Sequence, residues 1–191
     1  MTRGMGRVIQ FEEQAVARLR DKLGAAESAR ADLLAFARGH SGAVATIHLA
    51  VIAALEADSF DALVSVVTRE WPAMLRLDSV ALVLVVGGHG FRIDAQGVEH
   101  LEPALVERAL ASIDEVALRE VGRGHPLFGE AAATIRAEAL VGLERAAPYP
   151  YGLLLLGQSA DKPTPSDEGA QLLQFLGRSL GAMLRRWARH S

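Results

Sequence analysis

The sequence predicts an α+β fold: an antiparallel sheet with flanking helices, preceded by a long N-terminal helix. Three features carry that expectation. Small or apolar residues recur at steps of three and four from Val16 to Ala54, which is a helical, coiled-coil-like period. The period then gives way to β-rich runs apolar on both faces, at Ser79 to Val86 (SVALVLVV) and at Tyr151 to Leu156 (YGLLLL). A capped amphipathic helix closes the chain, and helices at both ends of sequential strands mark an α+β arrangement.

The N-terminal seam runs through Val16, Leu19, Leu23, Ala26, Leu33, Ala37, Val44, Ile47, Val51 and Ala54, with Arg30 and His40 filling the remaining steps. It passes through Gly39-His40-Ser41-Gly42, where two glycines in a helix interior favour a kink. A stripe this long needs a partner, and a second copy of the chain is the expected one. The dimer seam is assigned to Val16, Leu19, Leu23, Leu33, Val44, Ile47 and Val51. Ala57-Asp58-Ser59 punctuates the chain, giving two parts: residues 1–57 as the N-terminal helical segment and residues 58–191 as the folded domain.

Asp58 or Ser59 caps the next helix, with Phe60, Leu63, Val64 and Val67 on one face. It is expected to end near Trp71-Pro72, because a proline disfavours helical geometry at the residue before it. The strand at Ser79 to Val86 leads through Gly87-Gly88-His89-Gly90 into Phe91-Arg92-Ile93, which reads as a hairpin. A short helix follows at Glu102 to Ala111, with Pro103 in its first turn. Glu115 to Val121 reads as a strand with Ala117, Arg119 and Val121 on one face. Gly122 to Glu130 reads as a loop, and Ile135 to Leu143 as the next strand. Thr164-Pro165-Ser166-Asp167 then opens the last helix, whose stripe is Leu172, Leu176, Leu180, Met183 and Trp187.

Composition narrows the chemistry. The 191 residues are half hydrophobic and carry a net charge of −3, which gives no pull toward nucleic acid or an anionic membrane. Without cysteine there is no disulfide, thiolate metal site or Cys nucleophile. No apolar stretch near Met1 to Glu13 has signal-peptide length, and the run from Ala43 to Ala57 is too short to span a bilayer, so a cytoplasmic protein is expected. Gly87-Gly88-His89-Gly90 lacks the Lys-Ser/Thr of a phosphate loop and joins strands instead of opening a helix. The six histidines show no metal-ligand spacing, and no serine sits in a G-x-S-x-G context. Catalytic residues, a metal and a cofactor are therefore not expected.

SFDALVSVVTREW, SVALVLVV and the closing LLLLGQSADKPTPSDEGAQLLQFLGRSLGAML together fit the layout of GAF domains. More narrowly, the chain resembles the bacterial domain-of-unknown-function family 484, a GAF relative. The residues that carry this are Leu127 to Glu130 (LFGE), Ala139 to Leu143 (ALVGL), Gly152 to Ser159 (GLLLLGQS), and Pro163 and Gly169 ahead of the last helix. The resemblance extends over nearly the whole chain. It implies a GAF-like sheet that holds a small ligand on one face, under the helices and loops joining its middle strands. It also implies dimerisation through the first and last helices. No effector is expected within these residues, so any regulatory output would pass to a separate protein partner.

Arg119 through Arg136 is the segment expected to carry function. An arginine on a covered sheet face needs an anionic partner. By the resemblance, His125, Leu127 and Phe128 border the ligand pocket, and Arg136 begins the next strand. One reading makes Arg119, His125, Phe128 and Arg136 an anionic-ligand or partner-binding patch. The other makes Arg119 half of an internal ion pair with Glu120, Glu130 or Glu138. The expected function is a non-enzymatic, homodimeric, ligand-binding or regulatory domain. The alternative is an interaction module that uses the N-terminal helix and takes no small ligand.

Overall fold

The computed structural model describes residues 42–143, 150–159 and 167–188. From Val44 to Ser191 the chain forms one compact unit. The seam positions Val16, Leu19, Leu23 and Leu33 lie outside the described residues. So does the kink expected at 39–42, apart from Gly42, which is helical.

Helix α1 (residues 42–55) presents Ile47, Ala50, Val51 and Ala54 to the core. Ser59 then caps α2 (Phe60–Ser65), its Oγ accepting the Ala62 N–H at 3.1 Å. The helix does not stop at Trp71 as expected. It widens into a π-helical turn, Val66–Glu70, and continues as α3 (Trp71–Leu75). Pro72 thereby falls in the first turn of a fresh helical segment, where its missing N–H is not needed. Thr68 is buried in the wide turn and donates its hydroxyl to the Val64 carbonyl at 2.8 Å. The Trp71 indole N–H reaches the Ala50 carbonyl at 3.0 Å and ties α3 to α1.

Strand β1 (Ser79–Val86) turns through Gly87 and Gly88, both at positive φ, into β2 (His89–Asp94). A further strand follows that the sequence reading lacked. Asp94 Oδ1 accepts the N–H groups of Gln96 and Gly97 in a tight turn, and β3 (Gly97–Leu101) pairs back on β2. Then come α4 (Pro103–Ala111), β4 (Val116–Glu120), a 3₁₀ segment (Pro126–Ala133), β5 (Ile135–Gly142), β6 (Tyr151–Ser159) and α5 (Asp167–Ala188).

The six strands form one antiparallel sheet in the order β3-β2-β1-β6-β5-β4. The two doubly apolar runs, β1 and β6, are its centre, which is why both of their faces are buried. One face packs under α1, α2, α3 and α5 through Leu63, Val67, Trp71, Leu176, Leu180 and Leu184. The opposite face packs under α4 and the 3₁₀ segment through Val106, Leu110, Leu127 and Phe128.

Candidate functional site

The site lies on that second face, where a strap replaces a second covering helix. Across the sheet, Arg119 of β4 stands opposite Glu138 of β5, which stands opposite Gly157 of β6. Register thus decides which carboxylate pairs with Arg119. Its Nε donates to Glu138 Oε1 at 2.7 Å, and the internal ion pair is the arrangement formed. Glu138 is 2% exposed, one of the few polar residues in the core. Its other oxygen, Oε2, accepts the backbone N–H of His125 at 2.6 Å.

His125 begins the strap. Its Nδ1 accepts the Leu127 N–H at 3.2 Å, which caps the 3₁₀ segment and requires a neutral ring with its proton on Nε2. Burial pushes the His125 pKa below its ordinary value. The Glu138 charge opposes that shift and the Arg119 charge adds to it. Leu127 and Phe128 point inward and are 5% and 2% exposed. Phe128 rests over Gly157, where an added Cβ would come 3.1 Å from its ring and 2.6 Å from Ile135.

Gly129 follows with φ 61° and ψ −128°, a conformation that side-chain-bearing residues rarely adopt. A Cβ there would collide with the guanidinium of Arg92, which lies directly against the strap backbone. Arg92 is oriented from below by Asp94 at 3.2 Å and by Glu99 at 2.5 Å. At the strap's exit, Arg136 donates to the carbonyls of Ala133 at 2.9 Å and Ile135 at 2.8 Å, satisfying acceptors at the end of the helical turn. The strap is also closed on itself, with the Gly124 N–H bonded to the Ala132 carbonyl at 2.9 Å.

All four residues singled out from sequence therefore belong to the strap and its fastenings. Arg119 acts through Glu138, His125 caps the entry, Phe128 fills the sheet face and Arg136 holds the exit. Sequence reasoning missed Arg92, Asp94, Glu99 and Gly129. Finding Arg92 required β3, because β2–β3 register is what places Glu99 opposite it. Of the seam residues within the described part, Ile47 and Val51 are buried in the chain's own core and Val44 is half-buried. The outward side of α1 carries Leu49, Ile52 and Leu55, which are 60%, 49% and 55% exposed.

The site is an apolar sheet face with one buried carboxylate at its edge, beneath a fastened strap. Among the described residues no group of three or more His, Asp or Glu side chains could hold a metal ion. No described helix is long and apolar enough to cross a membrane.

Comparison with known proteins agrees with this architecture. A GAF domain from a Coxiella burnetii phosphoenolpyruvate-protein phosphotransferase superposes with a TM-score of 0.56 at 13% identity, over 79% of this chain and 96% of that one. The chromophore-binding domain of a Stigmatella aurantiaca bacteriophytochrome superposes with a TM-score of 0.50 at 14% identity, over 73% of this chain. The match spans 58% of the phytochrome fragment, less than two thirds of its length. The fold is GAF-like. No curated protein sequence matches the chain. The family model described as "Protein of unknown function, DUF484" matches residues 2–189.

Proposed function

The chain belongs to the DUF484 family, and on its GAF-like sheet we propose a regulatory or accessory domain that binds a small ligand without catalysing a reaction on it. The observation that carries this reading is the strap-covered face. It has an apolar floor of Ala81, Val83, Leu140, Leu153 and Leu155, and a single buried carboxylate, Glu138. Small-molecule sites commonly combine an apolar lining with a few placed polar groups. The fold supports the same reading, since a phytochrome fragment built on it is described as chromophore-binding. Arg119, His125, Phe128 and Arg136 would serve the ligand as the strap's fastenings and filling. The domain would act in the cytoplasm as a homodimer and pass its state to a protein partner, with no cofactor, nucleic acid or membrane involved.

A second reading, an interaction module without a ligand, is favoured by one specific observation: Leu127 and Phe128 already fill the covered face. Native mass spectrometry of protein purified gently from its own host separates the two. A bound species of a few hundred daltons, released on denaturation, is the expected result. Protein free of any such species, but retaining a protein partner that is lost when Leu49 and Ile52 are changed, would establish the interaction module instead.

A further inference from the structure

We propose that the 3₁₀ strap is a built-in occupant of this face, and that the ligand which replaces it has an aromatic or branched apolar body and one hydrogen-bond donor. The inference rests on the ligand-binding reading above and names the class of molecule that face would take.

Leu127 and Phe128 enter the second core from a segment that is neither strand nor α-helix. The described backbone bonds of the strap stay within it, from Phe128 N–H to the His125 carbonyl, from Thr134 N–H to the Ala131 carbonyl and from Gly124 N–H to the Ala132 carbonyl. The strands beneath, β1, β6 and β5, pair with one another, with one irregularity between Ile135 and Ala137 at the start of β5. Lifting the strap therefore removes no bond from the sheet ladder. Beyond the buried Leu127, Phe128 and Ala132, the described ties between strap and sheet are polar: the His125 N–H on Glu138 and the Arg92 guanidinium against Gly129. Ligand-binding loops are drawn from the less stable parts of a fold, which open separately from the rest.

The ligand class follows from what opening leaves behind. Leu127 and Phe128 vacate an apolar space of the size of their side chains. Glu138 keeps Arg119 but loses the His125 N–H, which strands a buried carboxylate oxygen. A buried acceptor without a partner is costly, so the molecule that fills the space must bring an N–H or O–H to Oε2. A carboxylate or phosphate would instead face the Glu138 charge. The class is thus neutral or cationic, in contrast to the anion that Arg119 suggests when read alone from sequence.

Gly129→Ala in the full chain tests the strap, because the new Cβ cannot coexist with Arg92 where it lies. Arg92→Ala loosens the same fastening without adding a Cβ and serves if the first variant does not fold. Amide hydrogen exchange over 125–134 should rise at least tenfold while β1 and β6 amides stay protected. Strap and sheet exchanging together, or neither changing, would overturn the occupant. The opened variant is then titrated with 2-phenylethanol, ethylbenzene and 3-phenylpropionate, which share an apolar body and differ in donor and charge. The alcohol should bind about tenfold tighter than the hydrocarbon, as expected for one buried hydrogen bond, and the anion more weakly than either. Preference for the anion would overturn the donor assignment. An opened strap with no probe bound would instead sink the ligand-binding reading itself.

Discussion

Glu138 is 2% exposed between two donors, the Arg119 guanidinium and the His125 backbone N–H, and its removal leaves the His125 N–H without its acceptor. Glu138→Ala should lower unfolding stability by about 3 kcal/mol, in the range for breaking a buried charged network. Arg119 is itself half exposed, but Arg119→Ala leaves that carboxylate buried without its counter-charge and should cost as much, about 3 kcal/mol. Urea unfolding of the two variants checks this; a loss of only about 1 kcal/mol for Arg119→Ala would mean that solvent screens the pair. His125 sets a pH dependence. Its folded pKa lies below the ordinary value of about 6.5, so between the two values the unfolded chain binds more protons. Its contribution is complete above about pH 6.5 and is lost as pH falls through the folded value. His125→Asn keeps a capping side chain without the titration, and should flatten the fall in unfolding midpoint below pH 6.5. An unchanged slope would place the pH dependence elsewhere. The sequence made the need for a partner at Arg119 legible, since a charge on a covered strand must be paired. It left Glu120, Glu130 and Glu138 as choices, because only strand register decides among them.

Among the elements, those with a buried stripe were readable and those without one were not. β1 and β6 declare themselves because both faces are apolar, and α4 begins at Pro103 within a residue of its expected start. β3 has four exposed residues and one half-buried one, so its Gly-Val-Glu-His-Leu carries no alternation to detect. The 3₁₀ strap reads as loop because its inward pair, Leu127 and Phe128, is too short for any period. The α1 stripe was read correctly as a helical face, but three-four spacing serves equally for packing on a sheet and on a second helix. Ile47 and Val51 are buried in the chain's own core at 6% and 8% exposure. What fastens α1 there is the Trp71 indole on the Ala50 carbonyl. Trp71→Phe should lower stability by about 1–3 kcal/mol through that bond and the lost ring volume. Amides of 42–55 should exchange faster than those of the sheet, and equal protection in the variant would show that apolar packing alone holds the helix.

At the scale of the whole molecule, the sheet divides the folded unit into two differently covered sides. Helices α1, α2, α3 and α5 close one side, and the outer surface of that layer exposes Leu49, Ile52 and Leu55 on α1 and Phe175 on α5. His48 meets Phe175 edge-on, with ring centroids 6.0 Å apart, so the two helices adjoin at this surface. If the homodimer forms there, Leu49→Lys combined with Ile52→Lys should shift sedimentation equilibrium from dimer to monomer while the fold is kept. A wild-type monomer, or an unaffected dimer, would move the interface or remove it. The other side, closed by α4 and the strap, carries the proposed ligand face. Its most direct test is an amide and methyl NMR spectrum of the full chain, titrated with small molecules extracted from its own host. Saturable shifts concentrated at Leu127, Phe128, Leu140, Leu153 and Leu155 are the expected result. Shifts confined to α1 and α5, or none at saturating extract, would contradict a ligand on this face.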